Sequence, residues 1–186
     1  MTLAASRRSF ARLATAAAAA AAVLLLGAAG QALAQVKERS FKLAQQNPKG
    51  HPLVTGAEKF AELVAARSGG KRKVNLFPGG VLGSDAANVS ALQGGTIDIV
   101  VLNSGILASQ VKDFEVFDFP FMFASPQEAD AVVDGPFGQK MHAKLADKGI
   151  VGLAYVELGF RNITNSRKPI QTVDDIAGLK LRVIPN

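Results

Sequence analysis

The chain has 186 residues, with 21 lysines and arginines against 15 acids, two histidines and no cysteine. Residues 1–34 hold Arg7, Arg8 and Arg12 and no acid, so without them the formal net charge falls from +6 to +3 and most of the basic excess is gone. The remainder has no basic patch interleaved with aromatics, which argues against nucleic-acid binding, and without cysteine the fold must be held by its core rather than by disulfides.

The N-terminus reads as an export signal. A basic stretch, residues 1–12, precedes an apolar run over 14–29, about sixteen residues, where a spanning helix needs roughly twenty. Ala32-Leu33-Ala34 then gives the small-x-small pattern of a signal-peptidase site, so cleavage is expected after Ala34, leaving Gln35 first. An N-terminal membrane anchor is the alternative. Ser6-Arg7-Arg8-Ser9-Phe10 is similar to a twin-arginine export signal.

Past the signal, 41–44 (FKLA) reads as a first strand, ended by the turn-rich Asn47-Pro48-Lys49-Gly50. A helix is predicted next, because Ala57, Phe60, Ala61 and Val64 recur at helical spacing and Ser68-Gly69-Gly70 suits a left-handed C-cap. The second strand is 74–77, closed by Pro78-Gly79-Gly80. Ser84 is placed to cap a short helix carrying Val89 and Leu92, and Gly94-Gly95 stops it before a strand over 97–102. The continuous apolar character of Ile99-Val100-Val101-Leu102 fits a parallel strand covered on both faces. Ser125-Pro126-Gln127-Glu128 is a strong helix start, with serine at the cap, proline at the first position and glutamate reaching back. That helical region runs towards Lys148, broken near Gly135-Pro136 and punctuated by Gly149. A strand over 150–156, a short helix capped by Thr172 and ended by Gly178, and a strand over 180–184 complete the layered α/β order.

Catalytic constellations are sparse. His51 and His142 have no H-E-x-x-H or cysteine context, so no metal or cofactor is implied. His142, beside Met141 and Leu145, reads as a surface or packing residue. The glycines of Gly79-Gly80-Val81-Leu82-Gly83-Ser84 make a strand-to-helix turn and lack the lysine of a phosphate-binding loop. What stands out is Arg161, after Phe160, and Arg182, between Leu181 and Val183, neither beside another charge. A buried or half-buried arginine wants an anion, and its planar fork meets a carboxylate bidentately. Spacing alone favours an internal ion pair with an Asp or Glu over a ligand.

The motifs "NPKGHP" (47–52), "FPGGVLGSD" (77–85) and "GFRNITNSRKPIQTVDDIAGLKLRVIPN" (159–186) shift that weighing. Together, in collinear order, they resemble the extracytoplasmic solute-binding subunit of tripartite ATP-independent periplasmic (TRAP) transporters, of the periplasmic dicarboxylate-binding type. The resemblance implies a periplasmic-binding-protein-like fold, two α/β domains with a hinge and a ligand cleft. It also implies that Arg182 forms the main salt bridge to a substrate carboxylate and that Arg161 adds a second contact. Asn103, after the third strand, and His51, in the first loop, are expected to line the same cleft, with structural roles as the alternative. Residues 1–34 would be the signal peptide, 35–157 the first domain, and 158–186 the crossover and start of a second domain that is mostly missing, so the chain reads as a C-terminally truncated fragment. The expected function is capture of a small organic acid and its delivery to membrane permease subunits, with no catalysis. An exported α/β enzyme or a ligand-sensing protein acting on small carboxylates is the alternative. One arginine would satisfy dicarboxylates, keto acids, sugar acids and amino acids alike.

Overall fold

A computed structural model describes residues 36–182; the export signal with its cleavage after Ala34, the mature N-terminus at Gln35, and residues 183–186, with the end of the strand predicted over 180–184, lie outside the described residues. The elements below all lie within the unit that begins at Arg39.

Three parallel strands form one sheet in the order β2-β1-β3: β1 (Arg39–Gln45), β2 (Arg72–Phe77) and β3 (Ile99–Val101). The register pairs Leu43 with Leu76 on one side and with Ile99 on the other. The central place therefore belongs to β1, where Leu43 and Ala44 are 2% and 1% exposed although they point to opposite faces. Double-sided cover was expected of the strand over 97–102. The observed β3 is shorter, and each of its residues is only half-buried, because among the described strands it pairs along one side alone.

Helix α1 (Pro52–Arg67) follows β1, begins with proline at its first turn and turns Val54 and Ala57 inward. It ends as the sequence predicts: Ser68 donates its backbone N–H to Val64 O, and Gly70 adopts φ +77. Helix α2 (Asp85–Gln93) is capped by Ser84, whose Oγ accepts from Ala87 N at 3.3 Å. Phe41 and Val74 line one groove with Phe60 and Val64 of α1. Gln46, of opposite parity, meets Gly83 at the start of α2. The two helices thus cover opposite faces of the sheet, as right-handed crossovers on either side of β1 require.

The main core lies on the α2 face. Val89, Phe114, Met141, Leu145 and Ile150 pack together, all 6% exposed or less, and each large side chain buried this way is worth about 1.5–3 kcal/mol. Phe114 is delivered by two 3-10 helices, Ser104–Ser109 and Lys112–Asp118, that the sequence did not suggest. Helices α3 (Pro126–Val133) and α4 (Pro136–Leu145) meet at the predicted Gly135-Pro136 break, and Gly149 turns the chain at φ +71. At the start of α3, Ser125 Oγ accepts from Glu128 N, while the Glu128 carboxylate reaches past the cap and accepts from Ala124 N at 2.9 Å.

Residues 151–156 do not form the predicted strand, since no described strand offers them a hydrogen-bonding edge. Tyr155 nevertheless anchors this stretch by stacking on His142 of α4, centroids 4.3 Å apart and planes 5° from parallel. His142 is thereby a packing residue. The turn capped by Thr172 forms as a 3-10 helix, Val173–Ile176, whereas 180–182 carry no strand.

Candidate functional site

In a parallel α/β sheet the connections leave in opposite directions where the strand order reverses, opening a crevice beyond the carboxyl ends of the strands. Here the reversal falls between β1 and β3, whose last residues, Gln45 and Val101, are register partners. The segments leaving them carry His51 and Asn103, so the topology brings these two predicted site residues to one edge of the sheet. Each also opens a helix. His51 Nδ1 accepts from Leu53 N at 3.2 Å and caps α1, and Asn103 Oδ1 accepts from Gly105 N at 3.0 Å. Those structural roles occupy one atom of each side chain. The other, Nε2 of His51 and Nδ2 of Asn103, bonds to no described residue.

Four residues that sequence reasoning passed over complete this edge. The loop between β2 and α2 docks on the end of β1 through Gly79 N to Asn47 O at 2.8 Å and Gly80 N to Gln45 O at 3.0 Å. Gln46 Nε2 then donates to Gly83 O at 2.7 Å, and Asn88 Nδ2 reaches the same carbonyl at 3.4 Å. Gln45 and Asn88 are fully buried. Both amide atoms of Gln45, Oδ1 of Asn88 and Oδ1 of Asp85 are buried with no hydrogen-bond partner. Burial holds the Asp85 carboxyl above its ordinary pKa, partly offset by the neighbouring Gln46 amide. A buried polar atom left unpaired costs about 1–3 kcal/mol; by strand parity Gln45 faces the α1 side with Phe41, whereas Asp85 and Asn88 belong to α2 on the opposite side. The consecutive glutamines closing the first strand were the available signal.

Arg161 and Arg182 stand apart from this edge. Both were expected to be buried or half-buried; both are exposed, and neither makes an ion pair or hydrogen bond to a described residue. For Arg161 the cause is local: residues 156–169 are exposed throughout and no sheet edge or helix covers them. The internal ion pair that spacing favoured is therefore not formed among the described residues, and both guanidinium forks are left open to an external anion.

A groove of about 410 Å³ on the α1 face is a different feature. Its lining is largely apolar, with Arg39 bonded to Asp98 at 3.0 Å and both Arg39 and Arg72 lying over Phe41, at 4.9 and 5.9 Å. Among the described residues no group of three His, Cys, Asp or Glu side chains forms a metal site, and no helix is long and apolar enough to cross a membrane.

Residues 43–186 match the DctP family, bacterial extracellular solute-binding protein family 7. The 2,3-diketo-L-gulonate-binding periplasmic protein YiaO of Escherichia coli is 34% identical over 158 residues, 85% of this chain and 48% of its own. Among solved structures, a TRAP periplasmic solute-binding protein from Ochrobactrum anthropi, with its C-terminus bound in the ligand-binding pocket, is 56% identical at a TM-score of 0.73; the match covers 81% of this chain and 47% of that one. The sugar acid binding protein of Advenella mimigardefordensis, in complex with galactonate, is 42% identical at a TM-score of 0.79, over 81% of this chain and 49% of that one. The chain spans about half the length of the curated relatives it matches.

Proposed function

The chain belongs to the bacterial extracellular solute-binding proteins of family 7, and on that premise we propose that it captures a small carboxylate-bearing solute in the periplasm and delivers it to the membrane permease subunits of a TRAP-type secondary transporter. Binding involves no covalent chemistry, in keeping with a family of solute-binding proteins rather than enzymes. The observation that carries this reading is the pair of unpaired arginine forks in a chain whose described residues make three ion pairs elsewhere. Arginine's rigid fork suits a planar carboxylate, and in a closed cleft the pair is worth more than in water.

In this reading Arg182 is the main carboxylate clamp, Arg161 a second contact, and Asn103 and His51 line the cleft through the atoms their capping roles leave over. Residues 1–34 act as the export signal, 35–157 form the first domain, and 158–186 lead into a second domain that closes on the ligand by a hinge.

Thermal denaturation of the purified full-length protein against a panel of organic acids tests this reading. A bound acid stabilises the folded state by RT ln(1 + [L]/Kd), so a true ligand raises the transition temperature in proportion to the logarithm of its concentration. Neutral analogues lacking the carboxylate should give no shift. A ligand whose carboxamide or alcohol analogue binds equally well would exclude the carboxylate clamp.

A further inference from the structure

Granting the carboxylate-capture reading, on which the next step rests, we infer that Tyr155 is a positioning residue for the solute site: docked between His142 and Phe117, it fixes the point from which the segment carrying Arg161 leaves the body of the fold. Of residues 151–161, Tyr155 has the one side chain that is not exposed. Its ring stacks on the His142 imidazole, centroids 4.3 Å apart and planes 5° from parallel, and meets Phe117 at 5.7 Å. Phe117 in turn lies 5.7 Å from Phe114, which is 1% exposed, so the tyrosine is tied to the main core. The Tyr155 hydroxyl also donates to Gly138 O at 3.4 Å.

Gly152 lets the segment lie this close. A Cβ there would collide with the His142 ring, so the chain can run against α4 at that point only as glycine. Ring pairs of this kind contribute beyond the area they bury, and little else fastens the segment: residues 151–160 form no strand and make no backbone-to-backbone hydrogen bond to the described chain. Arg161 follows six residues after the tyrosine. The next fixed point upstream is Ile150, eleven residues before Arg161, 6% exposed and donating its N–H to Leu145 O at 3.1 Å. Without the aromatic anchor the tether nearly doubles. The effective concentration of a tethered group falls roughly as the −3/2 power of tether length, which makes the expected loss in the Arg161 contact about two- to threefold.

Pulsed electron paramagnetic resonance reads this placement directly, and these 186 residues hold no cysteine to compete for the labels. With Glu58→Cys on α1 and Ile163→Cys beyond Arg161 in the full-length protein, Tyr155→Ala should widen the distance distribution and Tyr155→Phe, which keeps the ring, should restore its width. Gly152→Ala, which removes no packing, should shift its centre. In calorimetric titration with galactonate, glucuronate and succinate, Tyr155→Ala should weaken the tightest of the three by about two- to threefold, and Tyr155→Phe should recover the loss. In an Arg161→Ala background Tyr155→Ala should weaken binding no further, because the two changes remove one contact. A tyrosine that only stabilised the fold would lower the melting temperature in both backgrounds and leave label distances and affinity unchanged. That result, in a Tyr155→Ala protein shown by circular dichroism to be folded, would overturn the positioning role and leave the carboxylate reading standing. Parental affinity in Arg161→Ala alone would also end the positioning role, since there would be no contact to position. Parental affinity in both Arg161→Ala and Arg182→Ala would overturn the carboxylate reading itself.

Discussion

Gln46 and Gly83 are joined by a 2.7 Å hydrogen bond from the glutamine amide to the glycine carbonyl, and this contact fastens the loop before α2 to the end of the central strand. The loop can lie so close only because Gly80 has no side chain. A Cβ there would stand 2.6 Å from Gln46 Oε1. Gly79 and Gly80 both hold positive φ, +75 and +71, but a Cβ on Gly79 meets nothing within 4 Å. Gly79→Ala should therefore show the left-handed backbone cost alone, about 1–2 kcal/mol, while Gly80→Ala adds the loss of the Gln46 bond, about 1 kcal/mol more. Urea denaturation of the two variants side by side would show the difference. Equal losses would mean that Gln46 swings away freely and fastens nothing.

Two carboxyls should give opposite pH signatures. Asp175 is held below its ordinary pKa because it accepts from Gln171 N, then from Thr172 N and the Thr172 hydroxyl. Its contribution is present above the unfolded pKa, near pH 4, and is lost as the pH falls through the lower folded value. Asp85 is raised by burial, so its ionised form is a liability above the folded pKa that fades as the pH falls towards about 4. Stability measured from pH 7 to pH 3 should show Asp175→Asn losing its deficit at the acid end and Asp85→Asn losing any advantage there. The same slope for both variants would contradict these environments.

His142 offers a third pH test. Burial against Tyr155 and Gly152 lowers its pKa, so the unfolded chain takes up a proton at higher pH than the folded one. Stability should fall as the pH drops through the unfolded value, about 6.5. His142→Phe keeps the stacked ring and removes the titration, so its stability should be flat between pH 8 and pH 5 where the parent declines. Parallel pH profiles for the two proteins would show that the imidazole is not desolvated.

The α3 cap is a simpler case. Ser125 Oγ satisfies Glu128 N at 3.2 Å, an orphan donor of the first turn. Ser125→Ala should destabilise by about 1 kcal/mol, and Ser125→Asp should recover most of it, since aspartate caps as well and suits the positive end of the helix. Failure of aspartate to rescue would mean that the loss came from loop packing rather than from the cap.

What could be read in the sequence followed from local chemistry. Ser84, Ser125 and Gly149 specify their own backbone neighbourhoods, and the structure places caps and a left-handed turn at those residues. The 3-10 helices that bury Phe114 carry no regular apolar period, so no pattern announced them. The strand over 150–156 has strand-like composition, yet a strand exists through a partner's hydrogen bonds and composition says nothing of partners. The site divides in the same way. The loops that carry His51 and Asn103 were legible, whereas the contacts of Gln46 and Asn88 with the Gly83 carbonyl come from the docking of one loop on another strand's end. Spacing cannot show that.

The last prediction concerns Arg182. If its fork holds the solute carboxylate in a closed cleft, lysine keeps the charge but loses the bidentate geometry, and alanine leaves the carboxylate unpaired. Removing one partner of a buried charge pair costs on the order of 3–5 kcal/mol, and each 1.4 kcal/mol is tenfold in affinity. Arg182→Ala in the full-length protein should weaken binding by roughly a hundredfold or more, Arg182→Lys by a smaller but clear factor, and Arg161→Ala by less than Arg182→Ala. Because both arginines are exposed and unpaired among the described residues, neither change should cost the unliganded protein much stability, since surface charges free of partners contribute little. That separates the clamp from a structural ion pair: the clamp predicts lost affinity with unchanged melting of the ligand-free protein, and the ion pair predicts the reverse. An Arg182→Ala protein that binds its acid within threefold of the parent would end the case for Arg182 as the anion-binding residue.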